Sequence, residues 1–110
     1  MICEIVTFPA PPGASRTDIV EDARHVVERW QGEHDLVRKH FVWSDDRSTL
    51  KGIYFWKSRT AAENAHDAAW RAACEKRTGA APDIAYFDLF MIIDNDADAV
   101  TEYPPVDGGE

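Results

Sequence analysis

The chain has 110 residues, a net charge of −8 and an apolar fraction of 45% that includes four tryptophans, which suits one folded domain with a single core. The acidity is local: residues 94–110 hold six acids and no Lys or Arg, leaving fourteen acids against twelve bases in residues 1–93. A body so close to neutral has no basic stripe to release counterions from a phosphate backbone, so no nucleic acid is expected as a partner.

Other classes fall on similar grounds. Cys3 and Cys74 lie too far apart to make a metal knuckle or a redox motif, and a single pair is no disulfide framework. The N-terminus lacks a basic segment followed by an apolar run, and no stretch approaches the ~20 apolar residues that cross a bilayer. No membrane association and a cytoplasmic location are expected.

Ile2 to Phe8, rich in β-branched and aromatic residues, reads as a first strand. Pro9, Pro11, Pro12 and Gly13 stop it, because proline has no N–H for a ladder. A helix is predicted from about Thr17 to Gln31, with Ile19, Ala23, Val26, Val27 and Trp30 as its apolar stripe and Gly32 as its cap. Leu36–Ser44 and Thr49–Trp56 read as two strands joined by the turn residues Asp45, Asp46, Arg47 and Ser48.

The second helix follows. Thr60-Ala61-Ala62-Glu63 fits a capping box, an alanine-rich run extends to Lys76, and Gly79 and Pro82 end it. A last strand is predicted from Ile84 to Ile93, and residues 95–110 read as an acidic tail containing proline and glycine, mobile or laid across a partner. The order β-α-β-β-α-β over residues 1–94 defines an α+β, ferredoxin-like domain: a four-stranded antiparallel sheet with two helices on one face.

Strand parity then sorts the side chains. One row is largely apolar: Cys3 and Ile5, Val37, Phe41 and Trp43, Ile53 and Phe55, and Ala85, Phe87 and Leu89. This row is expected beneath the helices. The other mixes apolar residues with Glu4, Arg38, His40, Tyr54, Trp56, Tyr86 and Asp88. It is too apolar for water and too polar for a dry core, so a second copy of the chain is the expected cover and the protein is expected to be a homodimer.

Gly52-Ile53-Tyr54-Phe55-Trp56-Lys57-Ser58, followed by a helix entry with Ala61, Ala62 and Ala65, resembles the dimeric α+β barrel superfamily, and within it the YdhR-like monooxygenases. The resemblance covers residues 1–94 and implies two sheets closing into a barrel across a dimer, with a pocket beside the helices. It further implies oxidation of small aromatic or phenolic compounds by molecular oxygen with no bound cofactor. Other relatives degrade haem, isomerise lactones or serve non-catalytic roles. The haem-degrading branch has a tryptophan on the second helix and a histidine ten residues later; here Ala80 follows Trp70 at that spacing, which argues against haem degradation. The resemblance carries over no catalytic residue.

The residues offer three candidate groups. His66 and Trp70, one helical turn apart, suit a proton acceptor beside an aromatic ligand, or else a surface histidine next to Asp67 with Trp70 as core filler. Tyr54, Trp56 and Tyr86 suit a substrate-stacking cage, or packing at a dimer seam. Arg38, His40 and Asp88 suit a base poised by an Asp–His pair, or an Arg38–Asp88 ion pair across the dimer. The histidines show no His-x-x-x-His pair, so no metal is expected. The function these features suggest is a cofactor-independent monooxygenase-like protein. The alternatives are a non-catalytic dimeric small-molecule binder or stress-associated protein, and an isomerase or cyclase on the same scaffold.

Overall fold

A computed structural model describes residues 1–106. Its elements are β1 (Ile2–Pro9), α1 (Arg16–Arg24), α2 (Val27–Gln31), β2 (Leu36–Trp43), β3 (Thr49–Trp56), α3 (Arg59–Ala65), α4 (Ala68–Thr78), β4 (Asp83–Asp88), β5 (Met91–Asp94) and β6 (Ala99–Glu102). The first four strands of the chain form one antiparallel sheet in the order β2-β3-β1-β4. The helices lie on one side of it. This is the ferredoxin-like architecture expected from the element order.

Each predicted helix is broken in two. Between α1 and α2 the backbone of Val26 leaves helical geometry at φ −108°, ψ 0°, at the start of a β-branched pair that loses rotamer freedom in a helix. Of the predicted apolar stripe only Trp30 is buried; α1 buries none of its residues. The second break falls at His66 and Asp67. His66 turns out of the helix at φ −120°, ψ 54°, and the Asp67 side chain caps α4 by accepting the Trp70 N–H at 2.9 Å. The cap of α3 is Ser58, not Thr60: its hydroxyl accepts the Ala61 N–H at 3.1 Å. Gly79 ends α4 in the left-handed region at φ 86°, which glycine adopts without a Cβ penalty.

The predicted last strand also divides. Asp88 pairs with Ile2, the first residue of β1, and the Leu89 N–H donates to Met1 O at 2.9 Å. Beyond that rung β4 pairs with no strand among the described residues, and the chain leaves the sheet. Residues read as the start of a tail instead continue into a hairpin in which β6 pairs with β5. Asp94 makes its turn, its side chain accepting the N–H groups of Asp96 and Ala97 at 3.1 and 3.2 Å. The end of the expected tail, 107–110, lies outside the described residues.

In β1, β3 and β4 the assignment of the two sheet faces is the reverse of the expectation, whereas in β2 Phe41 and Trp43 lie on the helix side as expected. The helices cover the mixed row: Glu4, Val6, Tyr54 and Trp56 are buried together with Trp30, Ala62, Ala65 and His66. The apolar row of Cys3, Ile5, Ile53, Phe55 and Ala85 is only half-buried, and Phe87 is exposed. Bulky aromatic rings fill the gap between sheet and helices where smaller aliphatic residues would leave voids. Volume, not the count of apolar residues, decides the packed face.

Candidate functional site

Glu4 occupies the centre of the covered face. It lies directly opposite Tyr54 on β3 and Tyr86 on β4, so all three side chains rise on the same side of the sheet. Trp56, two residues along from Tyr54, donates its indole N–H to Glu4 Oε1 at 2.9 Å. From above, the break between α3 and α4 lowers His66 onto the same carboxylate. Its Nδ1 stands 2.9 Å from Glu4 Oε1, off the axis of a hydrogen bond, and both side chains are shut away from solvent.

Rings enclose the pair. The imidazole lies 4.7 Å from the Tyr54 ring and 4.5 Å from that of Trp70, edge to face in both cases, and 5.4 Å from Trp30. Tyr54 stacks on Trp56 at 6.0 Å. Gly52 gives Tyr54 its place, since a Cβ there would stand 2.7 Å from the tyrosine ring. Trp70 and Tyr86 are half-buried and form the outward wall, with the Arg59 guanidinium 3.7 Å above the Tyr86 ring.

Within this box Glu4 Oε2 and His66 Nε2 have no partner among the described residues. Unmet hydrogen-bonding capacity on buried ionisable groups is costly and rare. Burial, then the charge of Glu4 and a hydrogen bond toward its carboxylate, push the Tyr86 phenol up to about 12; burial and the Glu4 charge push Tyr54 higher still. Both phenols therefore remain protonated and able to donate across the neutral range.

Sequence parity brought Tyr54, Trp56 and Tyr86 to one face, and the structure holds them there. His66 and Trp70 also meet, across a helix break and not along one continuous helix. Arg38, His40 and Asp88 do not come together. A bulge at Val37 inserts an extra residue into β2, so Arg38 pairs with Phe55 and His40 with Ile53 on the open face. His40 packs edge-on to Phe55 at 5.5 Å. Asp88 lies on β4, at the far edge of the sheet from β2. The same bulge turns Lys39 and Phe41 inward, opposite Tyr54 and Gly52.

Glu4, Trp30 and Lys39 belong to this region but were not singled out from sequence. An acid inside a β-branched strand was the available signal for Glu4. The other two depend on the helix break and the bulge. Among the described residues no group of three or more His, Cys, Asp or Glu side chains gathers as a metal site, and no helix is long and apolar enough to cross a membrane.

The ferredoxin-like α+β fold is shared with solved structures of antibiotic biosynthesis monooxygenases. Three solved structures are similar to it. One is the monooxygenase ActVA-Orf6 of Streptomyces coelicolor, in complex with nanaomycin D: 21% identical, covering 84% of this chain and 89% of its own, with a TM-score of 0.62. Another, a candidate antibiotic biosynthesis monooxygenase from Deinococcus radiodurans, is 11% identical with coverage of 86% and 97% and a TM-score of 0.63. The third is Rv0793 from Mycobacterium tuberculosis, 16% identical with coverage of 81% and 94% and a TM-score of 0.60. No protein-family model and no curated protein matches the sequence. At these identities the likeness establishes the fold.

Proposed function

We propose that the Glu4–His66 box is the proton-accepting centre of a cofactor-independent oxidation of a small aromatic or phenolic compound by molecular oxygen. One observation carries the reading: a carboxylate and an imidazole, both closed off from water, each present an unpartnered atom inside walls of tryptophan and tyrosine. The likeness to monooxygenases supports the reaction class.

In this reading the substrate ring enters past Trp70 and Tyr86 and stacks within the cage of Tyr54, Trp56, Trp70 and Tyr86. His66, held by Glu4, takes the phenolic proton, which makes the ring electron-rich enough to reduce oxygen. The overall reaction balances: phenol and O2 give quinone and water. One oxygen atom becomes the new carbonyl, and the other leaves with the phenolic hydrogen and the hydrogen displaced from the ring.

The open face supports a second copy as its cover. Val42, Phe87, Phe90 and Met91 are exposed alongside half-buried Phe55 and Ile53, an apolar surface of a kind seldom left to solvent. His40 and Arg38 then serve that seam and take no part in proton transfer, while Asp88 lies on the Tyr86 side of β4.

The closure of the box favours a second reading, in which the protein binds a small molecule or isomerises it without using oxygen. Oxygen uptake against a panel of phenols and quinols separates the two. The first reading expects consumption that falls by at least about a hundredfold in His66→Gln, the scale of a lost general base. A ligand that binds and is returned unchanged, with no oxygen consumed, overturns it.

A further inference from the structure

Beyond β4 the chain builds a second sheet of two strands only. Among the described residues β5 and β6 pair with each other and with no strand of the main sheet. A lone two-stranded hairpin is marginal in water and needs a further strand or a packed face to hold it. Ile93 lies opposite Val100, and Met91 lies two residues along from Ile93, so these three share one side of the hairpin. They are 40% to 66% exposed, and Phe90 at the root is 68% exposed. The other side turns toward the chain's own sheet, where Ile92 and Tyr103 line a cleft with Val37, Arg38 and Phe55. β6 is exposed at every residue, which leaves the outer edge of the hairpin open. The radius of gyration, 15.1 Å, exceeds the roughly 13 Å of a compact domain of this length, as a hairpin standing off the body requires.

The main sheet has two edges, β2 and β4, and charge tells them apart. Residues 94–102 of the hairpin hold Asp94, Asp96, Asp98 and Glu102 and no base. β4 begins at Asp83 and ends at Asp88 and also has no base, so it repels the hairpin. β2 carries Arg38, Lys39 and His40 and no acid, with Arg38 and His40 exposed on the open face and Lys39 on the other. Among the described residues no ion pair within 4.0 Å engages any of these bases or any of the hairpin acids. β2 also exposes Val37, Phe41 and Val42, against Phe87 alone on β4. The acidic, apolar hairpin and the basic, apolar edge thus complement each other and are both unpartnered.

We propose that β6 adds as a further strand to the β2 edge of a second copy of the chain, and that the exchange is reciprocal. Each protomer then gives one hairpin and receives one, so the contact closes at two copies. The proposal rests on the reading of the open face as a dimer seam and names the segment that clasps it.

The test is cross-linking between two differently tagged full-length chains that are co-expressed. Both carry Cys3→Ser, which leaves only the buried Cys74 among the native thiols. One chain carries Ala99→Cys on β6 and the other Val42→Cys on β2, and a short bis-maleimide is added. Scoring only links between unlike tags excludes those formed within one chain. The β6–β2 pair is expected to cross-link, and Ala99→Cys against Asp83→Cys on β4 is expected not to. In otherwise wild-type chains Asp98→Lys with Glu102→Lys, both on the exposed hairpin, should weaken the dimer at least about tenfold by sedimentation, the scale of like charges brought together at an interface. A dimer that links β6 to β4, or that links it to neither edge, overturns the clasp and leaves the dimer seam standing. A dimer indifferent to Asp98→Lys with Glu102→Lys likewise overturns the choice of edge. A chain that stays monomeric at high concentration overturns both the clasp and the seam.

Discussion

The two faces of the sheet divide polarity and burial in an unusual way. The covered face holds a carboxylate, an imidazole, two phenols and two indoles, and is the drier of the two. The open face carries mostly aliphatic and phenylalanine side chains and leaves them half-exposed. Ordinary sheets put polar residues outward and apolar residues inward. The difference fits a covered face built around the proposed site, because a core of the same volume would be more stable without a buried carboxylate and imidazole at its centre. The open face has the make-up of a core that lacks its other half.

Breaking the buried pair should have the largest effect. Glu4→Ala leaves the buried Trp56 indole N–H with no acceptor and His66 without its neighbouring carboxylate, and is expected to cost about 1–3 kcal/mol in urea unfolding. Replacing both partners, as Glu4→Leu with His66→Leu, should recover part of that loss, since the carboxylate and the imidazole go together and only the Trp56 indole N–H is left unpaired. If the double substitution is as unstable as the single, the pair is a structural keystone and the contrast between the faces loses its meaning.

On the open face the expected effects are on assembly. Phe87→Lys combined with Val42→Lys should convert a dimer to a monomer, measured by sedimentation, while changing protomer stability by no more than about 0.5 kcal/mol. A wild-type chain already monomeric at high concentration would mean that this face is not a half-core.

The smallest effect concerns pH. Lys39 falls from an unfolded value of 10.5 to about 7 in the fold, so between those limits the unfolded chain binds more protons and stability rises with pH. Below about pH 7 the lysine is charged in both states and its penalty is fully present. Lys39→Met is therefore expected to be more stable than wild type by a margin greatest below pH 7 and vanishing toward pH 10. Melting temperatures at pH 6 and 9.5 check this. A margin independent of pH would mean that packing, and not charge, governs the position.

Much of this architecture is legible in the sequence. Period and turn chemistry place β3 at its observed bounds, set the element order and end α4 at Gly79. The packed face is not legible from counting, because both rows are apolar enough to be buried and the larger rings decide. Nor is the bulge at Val37 legible: β2 mixes polar and apolar residues in either register, so nothing in its pattern marks the extra residue, yet that one residue moves Arg38 and His40 out and Lys39 in. The helix break that presents His66 is hidden in an alanine-rich run, where the weak helix formers Asn64, His66 and Asp67 are the clue. Spacing alone puts His66 near Trp70 and Tyr54 beside Trp56, and strand parity adds Tyr86 to the same face. Glu4 required knowing which face the helices cover.

The most direct test of oxygen chemistry in the box is turnover of an accepted phenol under isotopically heavy dioxygen. Mass spectrometry should find one heavy oxygen atom in the quinone and the other in water, with incorporation lost in Glu4→Gln and His66→Gln. Product formed without heavy oxygen, or incorporation unchanged in both variants, would contradict a role for the Glu4–His66 pair in oxidation.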